Sequence, residues 1–243
     1  IKPDYAEAYF NIGVIHQELI NIDSAISSYK KAIEFIANYP DAHNNLGIVY
    51  LDINQLDQAI KHFKFAISFK KNFAEAHNNL GSCLQKKGQL ENSVDSYKLA
   101  ISIKENYAQA HNNLGILYQK LGRIDDALES YEKAIKSKPA YAEAHYNLSA
   151  IKKYSINDAQ ISQMQSLLAL NELSQSNKIY LCFAMAKVNE DLGLKEELFK
   201  FLNEGNKLRK EQLNFSFDKT DEPSLFVRRI FKSGPPKIKK LLY

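Results

Sequence analysis

Gly13, Gly47, Gly81 and Gly115 follow one another at a constant 34 residues in a chain that has only nine glycines. A fixed period of that length marks a repeat architecture, in which one small unit stacks on the next. Such units bury a core only against their neighbours, which excludes a single globule built around one centre. Overlaying the units sets their starts near Ala6, Pro40, Ala74 and Ala108, with a partial fifth at Ala142.

The seventh position of each unit holds Ile12, Leu46, Leu80, Leu114 and Leu148, and the eighth holds the four glycines and then Ser149. The twentieth holds Ala25, Ala59, Ser93 and Ala127; the twenty-fourth Tyr29, Phe63, Tyr97 and Tyr131; the twenty-seventh Ala32, Ala66, Ala100 and Ala134. These spacings predict two amphipathic helices per unit. A glycine inside a helix costs about 1 kcal/mol relative to alanine, so four in register imply close approach of the paired helices. Gly88, Gly122, Asn21 and Asn54 are expected to mark the turn between the helices, and Pro3 and Pro139 to end the second helix of their units.

Composition removes several function classes. An apolar fraction of 45% excludes disorder as the main state. Cys83 and Cys182 are far apart with no C-x-x-C or C-x-x-H setting, which excludes a disulfide framework and a structural zinc site. The apolar runs are far shorter than the roughly 20 residues a membrane span needs, and no signal-peptide pattern appears, so a cytoplasmic setting is the default. The chain opens on Ile1 and not on Met, so a missing leader proves little. The fourth position carries Tyr9, His43, His77, His111 and His145, but one histidine per repeat cannot surround an ion that needs three or four ligands. The histidines and the position-24 rings read as packing residues, and no metal, cofactor or nucleic-acid partner is expected.

The pattern of leucine, glycine, alanine and aromatic positions resembles the tetratricopeptide repeat (TPR) family over residues 1 to about 155. The resemblance implies an all-α, right-handed superhelical solenoid of helix-turn-helix units. The family's tryptophan at position four is missing here. Ile1 falls at the thirtieth position of a preceding unit, so IKPDY reads as the tail of a repeat upstream.

Position six is asparagine in every unit: Asn11, Asn45, Asn79, Asn113 and Asn147. Similarity to TPR proteins, and to the O-GlcNAc transferase superhelix in particular, implies that these line the concave groove and grip the backbone of an extended peptide. A carboxamide offers donors and an acceptor together, as such a role requires. Asn44, Asn78 and Asn112 at position five would widen the ladder. Against this stands the plain alternative that such asparagines satisfy backbone groups or face water. Glu7, Asp41, Glu75 and Glu143 at position two, joined there by Gln109, would favour basic or polar peptides, unless they serve only the helix dipole. No Lys or Arg occupies positions two, five, six or nine, so a basic clamp on a C-terminal carboxylate has no donors.

After residue 155 the phase is lost. Residues 157 to 172 read as a helix, and counting from Ile179 recovers one degenerate unit with Ala186 eighth, Gly193 fifteenth and Gly205 twenty-seventh, so residues 156–213 are expected to form a diverged helical cap. The runs MQSLLAL, LCFAMAKVNEDLG and FLNEGNKLRKEQLNFSFD, within residues 161 to about 231, resemble the junction of bacterial TPR-linked sulfotransferases. The terminal run KSGPPKIKKLLY contains no phosphate-binding loop, and no nucleophile motif occurs elsewhere. Residues 214–243 read as a flexible tail; from Pro223 onward it carries six Lys and Arg and no acid, so a net charge of +4 leaves −2 for the rest. The leading expectation is a non-catalytic scaffold that binds a protein or peptide. The alternative is the recruiting or homodimerising arm of a sulfotransferase, or else of a glycosyltransferase, whose catalytic domain lies outside this chain.

Overall fold

The computed structural model describes residues 3–170 and 172–213, and the basic tail lies outside them. Among the described residues there are twelve helices and no strand. Four regular pairs come first: α1 (Pro3–Glu18) with α2 (Ile22–Phe35), α3 (Pro40–Asp52) with α4 (Leu56–Phe69), α5 (Ala74–Lys86) with α6 (Leu90–Ile103), and α7 (Ala108–Lys120) with α8 (Ile124–Ser137). After them come α9 (Ala142–Ser149), α10 (Ala159–Leu168) and a last pair, α11 (Gln175–Asp191) with α12 (Lys195–Gln212). The chain is an all-α solenoid.

The repeated glycines pack against the repeated rings. A Cβ at Gly13, Gly47, Gly81 or Gly115 would sit 2.6 to 2.8 Å from ring carbons of Tyr29, Phe63, Tyr97 or Tyr131 respectively, closer than real contacts allow. Each ring is buried between its two helices, and glycine is what admits it. The fifth unit has Gln165 at position 24 and no ring, and there Ser149 takes the glycine's place. The ring's substituent is matched too. The hydroxyls of Tyr29, Tyr97 and Tyr131 donate to Gln17, Gln85 and Gln119 at position twelve, at 2.8, 3.1 and 2.9 Å. In the second unit the ring is Phe63, which needs no acceptor, and position twelve is Leu51.

Stacking completes the core. Leu46 and Val49 of α3 pack with Ile22, Ile26 and Tyr29 of α2 and are fully buried. Their counterparts on α1, Ile12 and Ile15, have no preceding unit among the described residues and are 42% and 54% exposed. Second helices meet the first helix of the next unit, whereas the first helices α1, α3, α5 and α7 also touch one another in series. The array therefore bends with its first helices on the inner side.

The turns correct two expectations. The left-handed residue is the fifteenth of the four regular units and of the degenerate one: Gly88 (φ 82°), Gly122 (φ 76°), Gly193 (φ 72°), Asn54 (φ 61°) and Ile20 (φ 60°). Asn21 is instead the residue that precedes α2. A β-branched residue in this region costs about 1–2 kcal/mol, and Ile20 is 79% exposed and gains little in return. Ile20→Gly is therefore expected to raise stability by about 0.5–1 kcal/mol, read as a higher urea midpoint. Pro3 does not end a helix but begins α1, because a fixed φ and a missing N–H suit a first helical turn.

The regular phase breaks at α9, which has 8 residues where α3, α5 and α7 have 13. A buried polar network closes the break. The Tyr154 hydroxyl donates to Gln160 Oε1 (3.0 Å), the Gln160 amide donates to His145 Nδ1 (3.2 Å), and His145 Nε2–H donates to the Pro139 carbonyl (2.9 Å). The Tyr154 backbone N–H donates to Asp191 (3.2 Å), whose carboxylate also holds Lys187 (2.6 Å). These bonds tie the loop after α9 to α11.

Candidate functional site

Positions two, five and six of the first helices, with the residue that precedes each of them, form the inner face. The position-six carboxamides do not hang free. Asn79 Nδ2 donates to Asn44 Oδ1, Asn113 Nδ2 to Asn78 Oδ1, and Asn147 Nδ2 to Asn112 Oδ1, each at 3.0 Å. One hydrogen bond thus joins each of the third, fourth and fifth units to the one before, at the same place each time. In the first unit position five is Phe10, and there Asn45 turns to the Tyr29 hydroxyl at 3.4 Å while its Oδ1 accepts from Asn44. Asn11 is exposed.

The two asparagine rows therefore differ in kind. Asn44, Asn78 and Asn112 are buried, so they brace the face and do not widen it. Asn45, Asn79, Asn113 and Asn147 are half-buried. Asn79, Asn113 and Asn147 each spend one N–H on the brace and keep an acceptor and a second N–H without a partner among the described residues.

A further row was not read from the sequence. The residue before α3, α5, α7 and α9 is aromatic, namely Tyr39, Phe73, Tyr107 and Tyr141, and Tyr5 holds the same repeat position inside α1. Burial raises the Tyr39 phenol, with Asp41 and Glu7 adding to it. Burial and then Glu75 push Tyr107 up to about 12. Tyr141 is also raised, by burial first and then by the charge of Glu143. The phenols thus lie among the position-two acids. The signal was present as an aromatic at position 34, but it sits in a turn, where helical periodicity does not look.

Lysines flank this row at position 31. Lys70, Lys104 and Lys138 stand 4.2, 4.9 and 5.5 Å from the ring centres of Phe73, Tyr107 and Tyr141. Lys104 also pairs with Glu75 at 3.5 Å, an exposed contact that adds little to stability.

The histidines of position four are buried among the helices. Nε2 of His43, His77, His111 and His145 reaches the carbonyl six residues earlier, of Ala37, Lys71, Glu105 and Pro139, at 3.1, 3.3, 2.9 and 2.9 Å. Each ring ties its helix to the preceding turn, and with the proton on Nε2 its Nδ1 is bare. His43 Nδ1 accepts from His62 Nδ1–H at 3.0 Å. Among the described residues no three His, Cys, Asp or Glu side chains come together as metal ligands. Cys83 and Cys182 are buried, and burial raises both thiols. No described helix is long and apolar enough to cross a membrane.

Known proteins agree with this geometry. Models of the tetratricopeptide repeat family match residues 72–140, and TPR repeat models match 21–54 and 49–88. No curated protein matches the chain. Among solved structures, PilF of Pseudomonas aeruginosa superposes with a TM-score of 0.65 at 15% identity, over 86% of this chain and 92% of that one. PilW, a type IV pilus biogenesis factor, gives 0.64 at 17%, over 87% and 94%. YrrB, described as a TPR protein with an unusual peptide-binding site, gives 0.50 at 22%, over 66% and 83%. At these identities the likeness is one of fold. Sequence match and helix packing together establish that residues 21–140 of this chain are tetratricopeptide repeats.

Proposed function

We propose that the chain is a protein-interaction scaffold whose inner face binds an extended polypeptide. The observation that carries this reading is the braced asparagine series, which presents an acceptor and a donor at one constant repeat spacing. Such groups pair with peptide units whatever the side chains, each contributing about 0.5–1.5 kcal/mol net. The bracing supports the reading further, because groups held by their neighbours lose little freedom on binding. YrrB, of the same fold, has a peptide-binding site, so the fold is one that can accept a peptide.

The test separates the groove from the brace. Asn45→Ala, Asn79→Ala and Asn113→Ala combined remove groove amides, whereas Asn44→Ala with Asn78→Ala removes only bracing partners. Both sets are expected to lower the melting temperature. The first is expected to weaken binding to a degenerate array of twelve-residue peptides by about tenfold or more, and the second by clearly less, through lost pre-ordering alone. Unchanged array binding by the folded triple variant would overturn the reading.

The second reading is an arm that recruits or dimerises a sulfotransferase, and it is favoured by the residue resemblance over 161–231. Reading the coding DNA beyond Tyr243 decides it. A phosphate-binding loop downstream supports this reading, and a stop codon with no such loop in any frame sinks it.

A further inference from the structure

The inner face changes character at its C-terminal end. Position five of the fifth unit is Tyr146 where earlier units have Asn44, Asn78 and Asn112, and it is 37% exposed. Its ring packs on Tyr180 and Phe183 of α11, with centroids 5.6 and 6.4 Å away. The next unit has Ala184 at position six, so the asparagine ladder ends at Asn147 and aromatic rings continue the face.

Glu143 lies within this aromatic end. It is one helical turn from Tyr146 on α9, it lies near enough to the Tyr141 phenol to raise it, and Asn112 Nδ2 stands 3.5 Å from its carboxylate. Tyr141 and Tyr146 thus flank one half-buried carboxylate in the chain, and Tyr180 packs against the Tyr146 ring. No cation within the described residues pairs with Glu143. Glu75, at the same position of the third unit, has Lys104 from position 31 of its own unit, but that position of the fifth unit is Glu172. Lys138, beside Tyr141, forms no ion pair with Glu143.

We propose that Glu143, Tyr141, Tyr146 and Tyr180 form a subsite for a cationic side chain, arginine or lysine, of the bound polypeptide. A carboxylate supplies the charge and the rings supply faces that attract a cation, an arrangement that favours it over a neutral chain of equal size. The subsite rests on the groove reading above, since the cation belongs to a peptide that runs along the asparagines, and it sets the register of that peptide by marking one end.

Two measurements separate the subsite from the groove. In the first, acetyl-arginine N-methylamide is titrated into the whole chain while the ring resonances of Tyr146 and Tyr180 are followed by NMR. A saturable shift is expected, absent with the citrulline analogue and absent in Glu143→Gln, with the variant's melting temperature confirming its fold. No saturable shift, an equal response to citrulline, or a response that survives Glu143→Gln overturns the subsite. In the second, the peptide array carries arginine, lysine or citrulline at one fixed position. A preference of about 3- to 30-fold for the two cations is expected, lost in Glu143→Gln and kept by the Asn45, Asn79 and Asn113 alanine variant in whatever binding remains. A response to the arginine amide with no array binding retains the subsite and discards the groove. Array binding with no preference for a cation does the reverse.

Discussion

Gly115→Leu is expected to destabilise the array by at least about 2 kcal/mol, read as a lower urea midpoint by circular dichroism. The Tyr131 ring carbon that a Cβ would meet at 2.6 Å belongs to a fully buried side chain with no free end to swing away. Its hydroxyl is held besides by Gln119 at 2.9 Å. Gly115→Ala brings the competing effects into the open. Alanine gains about 1 kcal/mol of helix propensity and incurs about 1–3 kcal/mol of overpacking, so a smaller net loss is expected. Pairing Gly115→Ala with Tyr131→Leu should recover part of that loss, because the degenerate unit uses this very combination in Ala186 and Leu202. Strict additivity of the two changes would show that the ring is not what excludes the methyl group.

Mild acid is expected to weaken the array through its buried histidines. Desolvation by burial lowers His43, His77, His111 and His145, and it lowers His62 to about 4, with the charges of His43, Lys61 and Lys30 adding to the effect there. A base whose folded pKa is depressed favours the unfolded chain on protonation. Its contribution is therefore complete above the unfolded value of about 6.5 and is lost as pH falls from there towards the folded one. For His62 the window runs from about 6.5 down to about 4. Allowing for its partial exposure, His62 alone should cost on the order of 1–2 kcal/mol at pH 5, or about 2–8 °C in melting temperature. His62 already donates its Nδ1–H to the bare Nδ1 of His43, so its second proton goes to Nε2, where burial and the neighbouring charges oppose it; a proton on His43 Nδ1 would instead set two donors against each other at 3.0 Å. The other regular units carry Ser28, Ser96 and Ser130 at the His62 position, each donating to the carbonyl four residues earlier. His62→Ser should thus keep the fold and flatten the fall in melting temperature between pH 7.5 and pH 5. A variant as acid-sensitive as the parent would remove His62 from the explanation.

Much of the fold was legible because its constraints are local and repeat. A ring at position 24 demands a glycine sixteen residues earlier, and a phenol there demands a glutamine at position twelve, so the sequence shows Gly115, Gln119 and Tyr131 in one unit and Gly47, Leu51 and Phe63 in another. Positions in turns were read less well. The left-handed residue of the first unit is Ile20, which no propensity suggests, because the geometry of the stacked pair imposes the turn whatever residue occupies it. The aromatic row through Tyr39, Tyr107 and Tyr141 went unread for the same reason.

The sequence by itself determined the unit, its two helices, its buried ring and the number of regular pairs, since each depends on residues fewer than 34 positions apart. Only the tertiary structure decided what the asparagines do. Asn78 and Asn79 are adjacent and alike in the sequence, yet stacking turns one inward as a buried brace and leaves the other with an acceptor and a donor to spare. That distinction depends on which neighbour covers each side chain, and the covering residue comes from a different unit, 35 residues away.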